Sequence, residues 1–195
     1  GAIAAGGAQR VGIIGGARGT NEDAFAWARL GRDVIGTPNL YAQMGDGMPA
    51  ALLGLPQATI DEAANATTIV LLGPDLKEEL PVLYLRLRDA AAKRRSRIIE
   101  FAPRQSGLTP YAWKHVGYEP GTQVAAVQQT LADADVAAQL AKGNVVVVLG
   151  RANLAESTAA TIAAFNELRA AVPEVKVLSA FRRGNVVGAL RVGMH

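Results

Sequence analysis

The 195-residue sequence contains no cysteine and only two histidines, His115 and His195. Without cysteine, these residues form no disulfide, bind no iron–sulfur cluster through thiolates and offer no thiol nucleophile. Two imidazoles are too few for a histidine-rich metal site. Serines are present, but none lies in a nucleophile-elbow pattern such as G-x-S-x-G. The sequence therefore predicts no metal site and no catalytic residue in this chain.

Long apolar runs and a strong charge imbalance are also absent. No apolar run reaches the roughly 18 residues of a membrane-spanning helix, because charged residues or prolines interrupt every candidate. The alanine-rich start, Gly1 to Gln9, lacks the charged flank and long apolar centre of a signal peptide. The net charge of +3 is too small to indicate nucleic-acid binding. We expect a soluble, cytoplasmic chain, with the option that it is a piece of a longer protein.

Apolar runs and helical periodicities alternate along the chain. The runs are short, continuous and rich in β-branched residues, as in strands that are covered on both faces. They are Val11–Gly15, Thr67–Gly73, Arg97–Phe101, Asn144–Gly150 and Val175–Ser179, with a possible further strand at His115–Tyr118. Helical spacing places three sets of apolar residues on one face each: Trp27, Leu30 and Val34; Leu80, Leu83 and Leu87; Ile162, Phe165 and Leu168. The alternation predicts an α/β fold with mostly parallel sheets.

The strands divide into two groups. The segment 38–124 holds two clear strands and the possible third, and the remainder, 1–37 with 125–195, contributes the others. We expect one Rossmann-like lobe, 38–124, inserted into a second one, 1–37 plus 125–195. Periodicity alone also allows a single continuous domain.

Three segments resemble those of the molybdopterin oxidoreductase superfamily. Its members carry a strand ending in G-x-N-P, a helix that opens near H-P-V, a second strand ending in D-P-R and a later P-G-T-D. Here the corresponding segments are Thr67-Thr-Ile-Val-Leu-Leu-Gly-Pro-Asp-Leu-Lys-Glu-Glu-Leu-Pro-Val-Leu, Arg97-Ile-Ile-Glu-Phe-Ala-Pro-Arg and Glu119-Pro-Gly-Thr-Gln.

Two flanking segments agree with this resemblance, Gly15-Gly-Ala-Arg-Gly-Thr-Asn-Glu-Asp-Ala and Arg183-Gly-Asn-Val-Val-Gly-Ala-Leu. The match spans roughly residues 11–193. Within the superfamily the sequence is similar to the large iron–sulfur subunits of NADH–quinone oxidoreductases. The resemblance implies three-layer αβα lobes like domains II and III of formate dehydrogenase-like members.

The chain departs from the family pattern at the positions that hold the cofactor. Asp75 and Leu76 replace the usual Asn and Pro, Ala102 replaces the Asp of D-P-R, and Gln123 replaces the Asp of P-G-T-D. Members that hold molybdenum have a Cys, selenocysteine or Ser ligand after the equivalent of 36–39, but the stretch 40–48 contains neither Cys nor Ser. We therefore expect no cofactor in this chain.

If any part of the family's ligand site is kept, we expect it in the loops that follow the two strands with the family motifs. The loops that contain Gly73, Asp75, Pro103 and Arg104 follow two strands that should be neighbours, so they converge at the carboxyl edge of the sheet, where open α/β sheets bind ligands. In relatives these loops hold one guanosine half of the molybdopterin cofactor. Here we interpret them as vestigial, and Arg104 is open to a structural salt bridge or to an anion.

A second, weaker candidate is the turn with Gly15, Gly16 and Thr20, which follows a strand and opens a helix. Such a turn can bring backbone N–H groups close to a pyrophosphate. The spacing G-x-x-G-G-x-x-G differs from the dinucleotide pattern G-x-G-x-x-G, so a plain tight turn is the alternative. The basic cluster of Lys93, Arg94, Arg95 and Arg97 is interpreted either as a phosphate or partner patch or as a solvated helix end. The pair Arg182-Arg183 is interpreted either as an interaction loop or as a polar connector.

The missing cysteines and cofactor-binding residues indicate a structural role within the parent protein that the resemblance implies. The parent subunit would help to pass electrons from NADH through iron–sulfur clusters to quinone, in a peripheral arm on the inner face of the plasma membrane. The expected partners are the cluster-bearing part of the same subunit and other subunits of the complex. The alternative is a nucleotide- or molybdopterin-guanine-dinucleotide-binding domain of an oxidoreductase.

Overall fold

The computed structural model describes residues 1, 5–42, 48–93, 95–152 and 155–194. The strands in these ranges are β1 (Ile13–Ile14), β2 (Leu40–Tyr41), β3 (Thr68–Leu72), β4 (Arg97–Ala102), β5 (Lys114–Gly117), β6 (Val145–Leu149) and β7 (Lys176–Ser179). The α-helices are α1 (Asn21–Arg29), α2 (Ile60–Ala64), α3 (Leu76–Glu79), α4 (Pro81–Ala92), α5 (Gln123–Leu131), α6 (Ala134–Leu140), α7 (Thr158–Ala171) and α8 (Val186–Arg191). Short 3₁₀ turns occupy Ala8–Arg10, Ala50–Gly54 and Thr109–Tyr111, and a π-helical segment occupies Leu30–Ile35.

The chain forms two units, one inserted in the other. The discontinuous unit comprises 1–54 and 181–195, and the inserted unit comprises 55–180. The predicted α/β class with parallel sheets is confirmed, because every strand pair in the two sheets is parallel.

The division between the units differs from the one expected at 38–124. Strand β6 pairs with β3 over the full length of both, and β7 pairs with β6, so both belong to the inserted unit. Residues 38–54 belong instead to the discontinuous unit, where β2 pairs with β1. A continuous apolar run shows that a strand is covered on both faces, but it carries no information about which sheet the strand joins.

The inserted unit is built on a five-stranded sheet with the order β5-β4-β3-β6-β7. Its central strands are wholly apolar or β-branched and every residue of β3 and β6 is buried. The predicted faces of α4 and α7 contribute Leu83, Leu87, Phe165 and Leu168 to the buried residues. These strands and helices form a sheet core of the kind expected for a doubly wound α/β unit.

The discontinuous unit has a two-stranded parallel sheet, in which Ile13 lies opposite Leu40 and Ile14 lies opposite Tyr41. Helix α1 begins with a capping box, in which Thr20 accepts a hydrogen bond from the Asp23 N–H and Asp23 accepts one from the Thr20 N–H. The π-helical segment that follows α1 is capped by Gly36, whose φ of 77° lies in the left-handed region that glycine adopts without strain.

The apolar face predicted for α1 is not the buried one. Ala24, Ala28 and Gly31 are buried, whereas Trp27, Leu30 and Val34 are exposed. A side chain at Gly31 would collide with the side chains of Leu40 and Ile13, so the helix approaches the sheet through its small residues. Within the described ranges, no helix is both long and apolar enough to cross a bilayer.

Candidate functional site at the strand ends

The carboxyl ends of β3 and β6 form a topological switch point in the inserted unit. From β3 the chain proceeds through β4 to β5 on one side of the sheet, and then returns to place β6 and β7 on the other side. Ligands of open α/β sheets bind in the crevice at such a reversal. Two glycines, Gly73 and Gly150, follow the two strands, and a Cβ on Gly150 would lie only 2.6 Å from the Ala180 carbonyl oxygen. The close approach of these backbones therefore requires glycine at position 150.

A cleft of about 400 Å³ opens at this edge. Strands β3 and β4 together with the segments that follow them supply most of its lining, and Ala152 after β6 also contributes. All four candidates at the strand ends, Gly73, Asp75, Pro103 and Arg104, line this cleft. The structure thus places them together, as the adjacency of two parallel strands predicts.

The Asp75 carboxylate joins the two loops. Its Oδ1 accepts hydrogen bonds from the N–H groups of Lys77, at 3.0 Å, and Gly107, at 3.2 Å, and its Oδ2 lies 3.3 Å from the same Gly107 nitrogen. The first of these bonds caps helix α3 and the second reaches the loop after β4. Asp75 therefore holds the walls of the cleft in place, and its oxygens already have donors within the protein.

A buried carboxylate, Glu100, lies in the interior of β4 and also lines the cleft. It accepts hydrogen bonds from the Ser106 hydroxyl and from the Thr109 hydroxyl, the latter at 2.5 Å. The Nδ1 atom of His115 on β5 lies 2.8 Å from the same carboxylate, so the sheet edge is tied to this network. Glu100 is not among the residues predicted from the sequence; its signal is one acid within a strand that is otherwise apolar after Arg97.

The charge of the cleft is predominantly negative. Among the described residues, Asp75, Glu78, Glu79 and Glu100 line it against one guanidinium, that of Arg104. Such a lining repels phosphate groups, since carboxylates nearby raise the energy of a second anion. Ala102, at the end of β4, offers no carboxylate for a base or a ribose hydroxyl. The residues present do not fit a pyrophosphate-bearing dinucleotide.

Gln123 occupies the other position at which family members carry Asp. It is fully buried in the first turn of α5, and its amide oxygen and nitrogen have no hydrogen-bond partner among the described residues. Tyr118, just after β5, is also buried, and burial together with the nearby Glu156 carboxylate raises the pKa of its phenol. Both side chains are thus enclosed by the fold of the inserted unit, and neither lines the cleft.

The turn that contains Gly15, Gly16 and Thr20 lies in the discontinuous unit. Its helix N-terminus is capped by Thr20 and Asp23, and Asn185 donates to the carbonyl oxygens of Ala17 and Gly19, at 2.8 and 3.0 Å. Two acids, Glu22 and Asp23, lie in the first helical turn, where they complement the helix dipole. The Thr20 and Asp23 side chains therefore already accept hydrogen bonds from two of the N–H groups that a bound phosphate would engage at this turn.

The basic cluster is held by contacts within the inserted unit. Lys93 and Arg95 each lie 2.9 Å from the Asp89 carboxylate, and these hydrogen bonds lower the pKa of that acid. The Arg97 guanidinium lies 4.7 Å from the centre of the Trp113 ring, a distance typical of a cation–π contact.

Arg94, His195 and most of the stretch 40–48 lie outside the described residues. In the described part of the chain, no group of three His, Cys, Asp or Glu residues is arranged to hold a metal ion.

The sequence also shows similarity to known proteins. It is 30% identical over 175 residues to the G subunit of the NADH-quinone oxidoreductase of Mycobacterium tuberculosis, a match that covers 79% of this chain and 22% of the relative. It is 33% identical over 129 residues to the alpha subunit of the NADPH-Fe(3+) oxidoreductase of Geobacter sulfurreducens, covering 62% of this chain and 15% of the relative. A match to the assimilatory nitrate reductase of Haloferax mediterranei, 29% identical over 136 residues, covers 64% of the chain and 19% of the relative.

The chain spans between 15% and 22% of the length of these curated relatives. The sequence model of the molybdopterin oxidoreductase family matches residues 3–193. The cleft at the switch point of the parallel sheet lies where the family motifs occur in the sequence. The chain belongs to the molybdopterin oxidoreductase family.

Proposed function

We propose that this chain is a cofactor-free structural segment of the large iron–sulfur subunit of an NADH–quinone oxidoreductase. The observation that carries the proposal is the chemistry of the cleft at the strand ends. In the described part of its lining, carboxylates outnumber the single arginine, and Asp75 and Glu100 are engaged in hydrogen bonds that join the loops. These are the properties of a cleft that is held together by its own side chains.

The similarity to the mycobacterial NADH-quinone oxidoreductase supports the choice of parent protein. That similarity covers 79% of this chain. The chain contains no cysteine, so any iron–sulfur cluster of the parent is held by polypeptide outside these residues. In this proposal the chain packs against that cluster-bearing part and against other subunits, in a peripheral arm at the inner face of the plasma membrane.

The scaffold role is tested by association. The tagged chain is co-expressed with the remainder of the subunit encoded by its own gene, and the purified material is analysed for iron. The proposal predicts that the two parts purify together with iron. Recovery of the tagged chain alone, in the presence of a folded, iron-bearing remainder, would overturn it.

A second candidate is a nucleotide-binding domain, which the glycines at the switch point and the single Arg104 favour. If it is correct, a guanine nucleotide at 100 times its Kd stabilises the chain by about 2.7 kcal/mol, and the Arg104→Ala variant loses this effect while its fold is kept. A Gly16→Val variant tests the turn in the discontinuous unit in the same way. The absence of a melting shift with guanine or adenine nucleotides would exclude this candidate.

A further inference from the structure

Three arginines line an open pocket in the discontinuous unit. The pocket has a volume of about 420 Å³ and lies between α1, the π-helical segment that follows it and the end of α8. Arg29 and Arg32 reach it from the first two elements, and Arg191 reaches it from the last turn of α8. Among the described residues of its lining, Asp33 is the one acid. Positive charge therefore predominates here, in contrast to the cleft at the strand ends.

The guanidinium of Arg32 is held by the C-terminal end of α8. Its Nη2 atom donates a hydrogen bond to the Gly193 carbonyl oxygen, 3.1 Å away. A side chain at position 193 would collide with this guanidinium, and the φ of Gly193, 73°, also favours glycine. A guanidinium has five N–H donors, so most of those of Arg32 remain available after this contact with the described residues. The fold thus fixes the position of a cation that can still donate several hydrogen bonds.

The other two arginines have few contacts of their own. Arg29 donates from Nε to the Asp33 carboxylate, 2.9 Å away, which leaves its two terminal nitrogens for other acceptors. Arg191 has no hydrogen-bond or ion-pair partner among the described residues. Three guanidiniums and one carboxylate give the pocket a formal charge of +2. The end of α8 contributes at most about half a negative charge through the helix dipole, so an excess of about 1.5 positive charges remains.

The charge of the unit as a whole has the same sign. Segments 1–54 and 181–195 contain seven arginines, no lysine and four acidic residues. The net charge of +3 therefore lies in this unit, and the inserted unit is neutral. Arginine presents a planar fork of N–H groups that matches the oxygens of a carboxylate or a phosphate, whereas lysine offers a point charge. A unit whose basic residues are all arginines is suited to bind an oxyanion.

We propose that this pocket binds the phosphate group of a small, soluble phosphate monoester. Such a phosphate carries a charge of about −1.5 to −2 at pH 7, which matches the positive excess of the pocket, whereas a carboxylate would offset only part of it. Guanidiniums bind phosphate oxygens through pairs of parallel hydrogen bonds. The organic part of the ligand would lie against the Phe25 ring, which is 54% exposed and also lines the pocket.

The test is a calorimetric titration of the 195-residue chain with phenyl phosphate, and with benzoate as a carboxylate that carries the same ring. We expect phenyl phosphate to saturate a single site and to bind at least about tenfold more tightly than benzoate, because it carries the larger charge. The affinity should fall as sodium chloride is added, since salt screens exposed charges. Equal affinities for the two anions, or no saturable binding of phenyl phosphate at millimolar concentration, would overturn the proposal.

Arg191→Gln locates the site. Because this guanidinium is exposed and has no described partner, the melting temperature without ligand should be unchanged, while the affinity for phenyl phosphate should fall about tenfold or more. Arg10→Gln is the matched control, because Arg10 is an exposed arginine of the same unit that does not line the pocket. Its affinity should stay within about twofold of the wild type. Equal losses in the two variants would show attraction to the charge of the unit at large, and would overturn the site.

Vesicles distinguish a soluble ligand from a lipid headgroup that carries the same phosphate chemistry. The chain and its Arg191→Gln variant are sedimented with vesicles of phosphatidylcholine, with and without phosphatidate. We expect the two proteins to sediment to the same extent with either vesicle, since the pocket is occupied by the soluble ligand class. Sedimentation with phosphatidate that is lost in Arg191→Gln, together with no binding of phenyl phosphate, would overturn the soluble ligand and assign the pocket to a lipid headgroup.

Discussion

Replacement of Glu100 tests whether the acids of the cleft serve the fold. Glu100→Leu removes the acceptor for the hydroxyls of Ser106 and Thr109 and for His115, while keeping a side chain of similar volume. These hydroxyls and the imidazole are only partly buried, so some of them can rotate and form hydrogen bonds with water instead. Leaving a buried donor unpaired costs about 1–3 kcal/mol. We therefore expect a loss of about 3 kcal/mol in the free energy of unfolding of the inserted unit.

Glu100→Gln should have a smaller effect. The amide oxygen can still accept from two of the three donors, and the amide N–H₂ group can donate to a hydroxyl, so what is lost is chiefly the assistance of the negative charge. Removal of a buried charge also lowers the cost of desolvation, which offsets part of the loss. We expect a decrease of about 1 kcal/mol. Glu78→Gln and Glu78→Leu are matched controls, because Glu78 lines the same cleft but is exposed, and both should lie within about 0.5 kcal/mol of the wild type.

The measurement is urea denaturation followed by the fluorescence of Trp113, in a Trp27→Phe background that leaves one tryptophan in the inserted unit. At a slope of about 2 kcal/mol per molar urea, the midpoint of Glu100→Leu should fall by roughly 1.5 M. If Glu100→Leu unfolds at the same midpoint as Glu78→Leu, the hydrogen bonds of Glu100 do not hold the strand-end loops, and the acids of the cleft do not stabilise the fold.

Three further variants probe the same unit. Asp75→Ala should lower the free energy of unfolding by about 1 kcal/mol, the usual effect of losing a helix cap, in thermal melts that compare it with the wild type. Gly150→Ala should be clearly destabilising, by about 1–3 kcal/mol, because its Cβ would lie 2.6 Å from the Ala180 carbonyl oxygen; an unchanged melting temperature would contradict this packing. A hydrogen bond from Lys176 lowers the pKa of Glu62 from 4.5 to about 2, so its stabilising effect is present above pH 4.5 and is lost as the pH falls towards 2. Glu62→Gln should accordingly flatten the decrease of melting temperature between pH 5 and pH 2, and a profile parallel to that of the wild type would count against the contact.

Much of the inserted unit could be predicted because its strands are short, continuous and β-branched. The run predicted at Thr67–Gly73 is observed as Thr68–Leu72, and the one at Asn144–Gly150 as Val145–Leu149. The possible strand at His115–Tyr118 is observed as Lys114–Gly117. In the first two strands the buried, covered position determines the residue types, so the pattern is visible locally, whereas the third is a partly exposed edge strand.

The assignment of strands to units could not be predicted in this way. Strand β2 was missed because two residues, Leu40 and Tyr41, give no periodicity. The face of α1 was also misjudged, since the spacing of Trp27, Leu30 and Val34 shows an apolar stripe but not what covers it. The pairing of β2 and the buried face of α1 depend on residues that are distant in sequence, and neither secondary-structure propensity nor periodicity reveals such contacts.

The candidate site was predicted in position but not in its chemistry. The convergence of Gly73 and Pro103 follows from the adjacency of two parallel strands. The hydrogen bonds of Asp75 and Glu100 could not be predicted in this way, because their partners lie up to 32 residues away in sequence or on another strand. The negative charge of the cleft emerges only when residues from two loops and a strand interior are brought together.

The most direct test of the cofactor-free scaffold is the composition of the purified chain. The protein is expressed in cells that make the molybdenum cofactor, purified without added ligand, and analysed for molybdenum and iron by elemental analysis and for released nucleotides by mass spectrometry. We predict only sub-stoichiometric traces of all three. A stoichiometric guanine or adenine dinucleotide would contradict the account and identify the cleft at the strand ends as a working site.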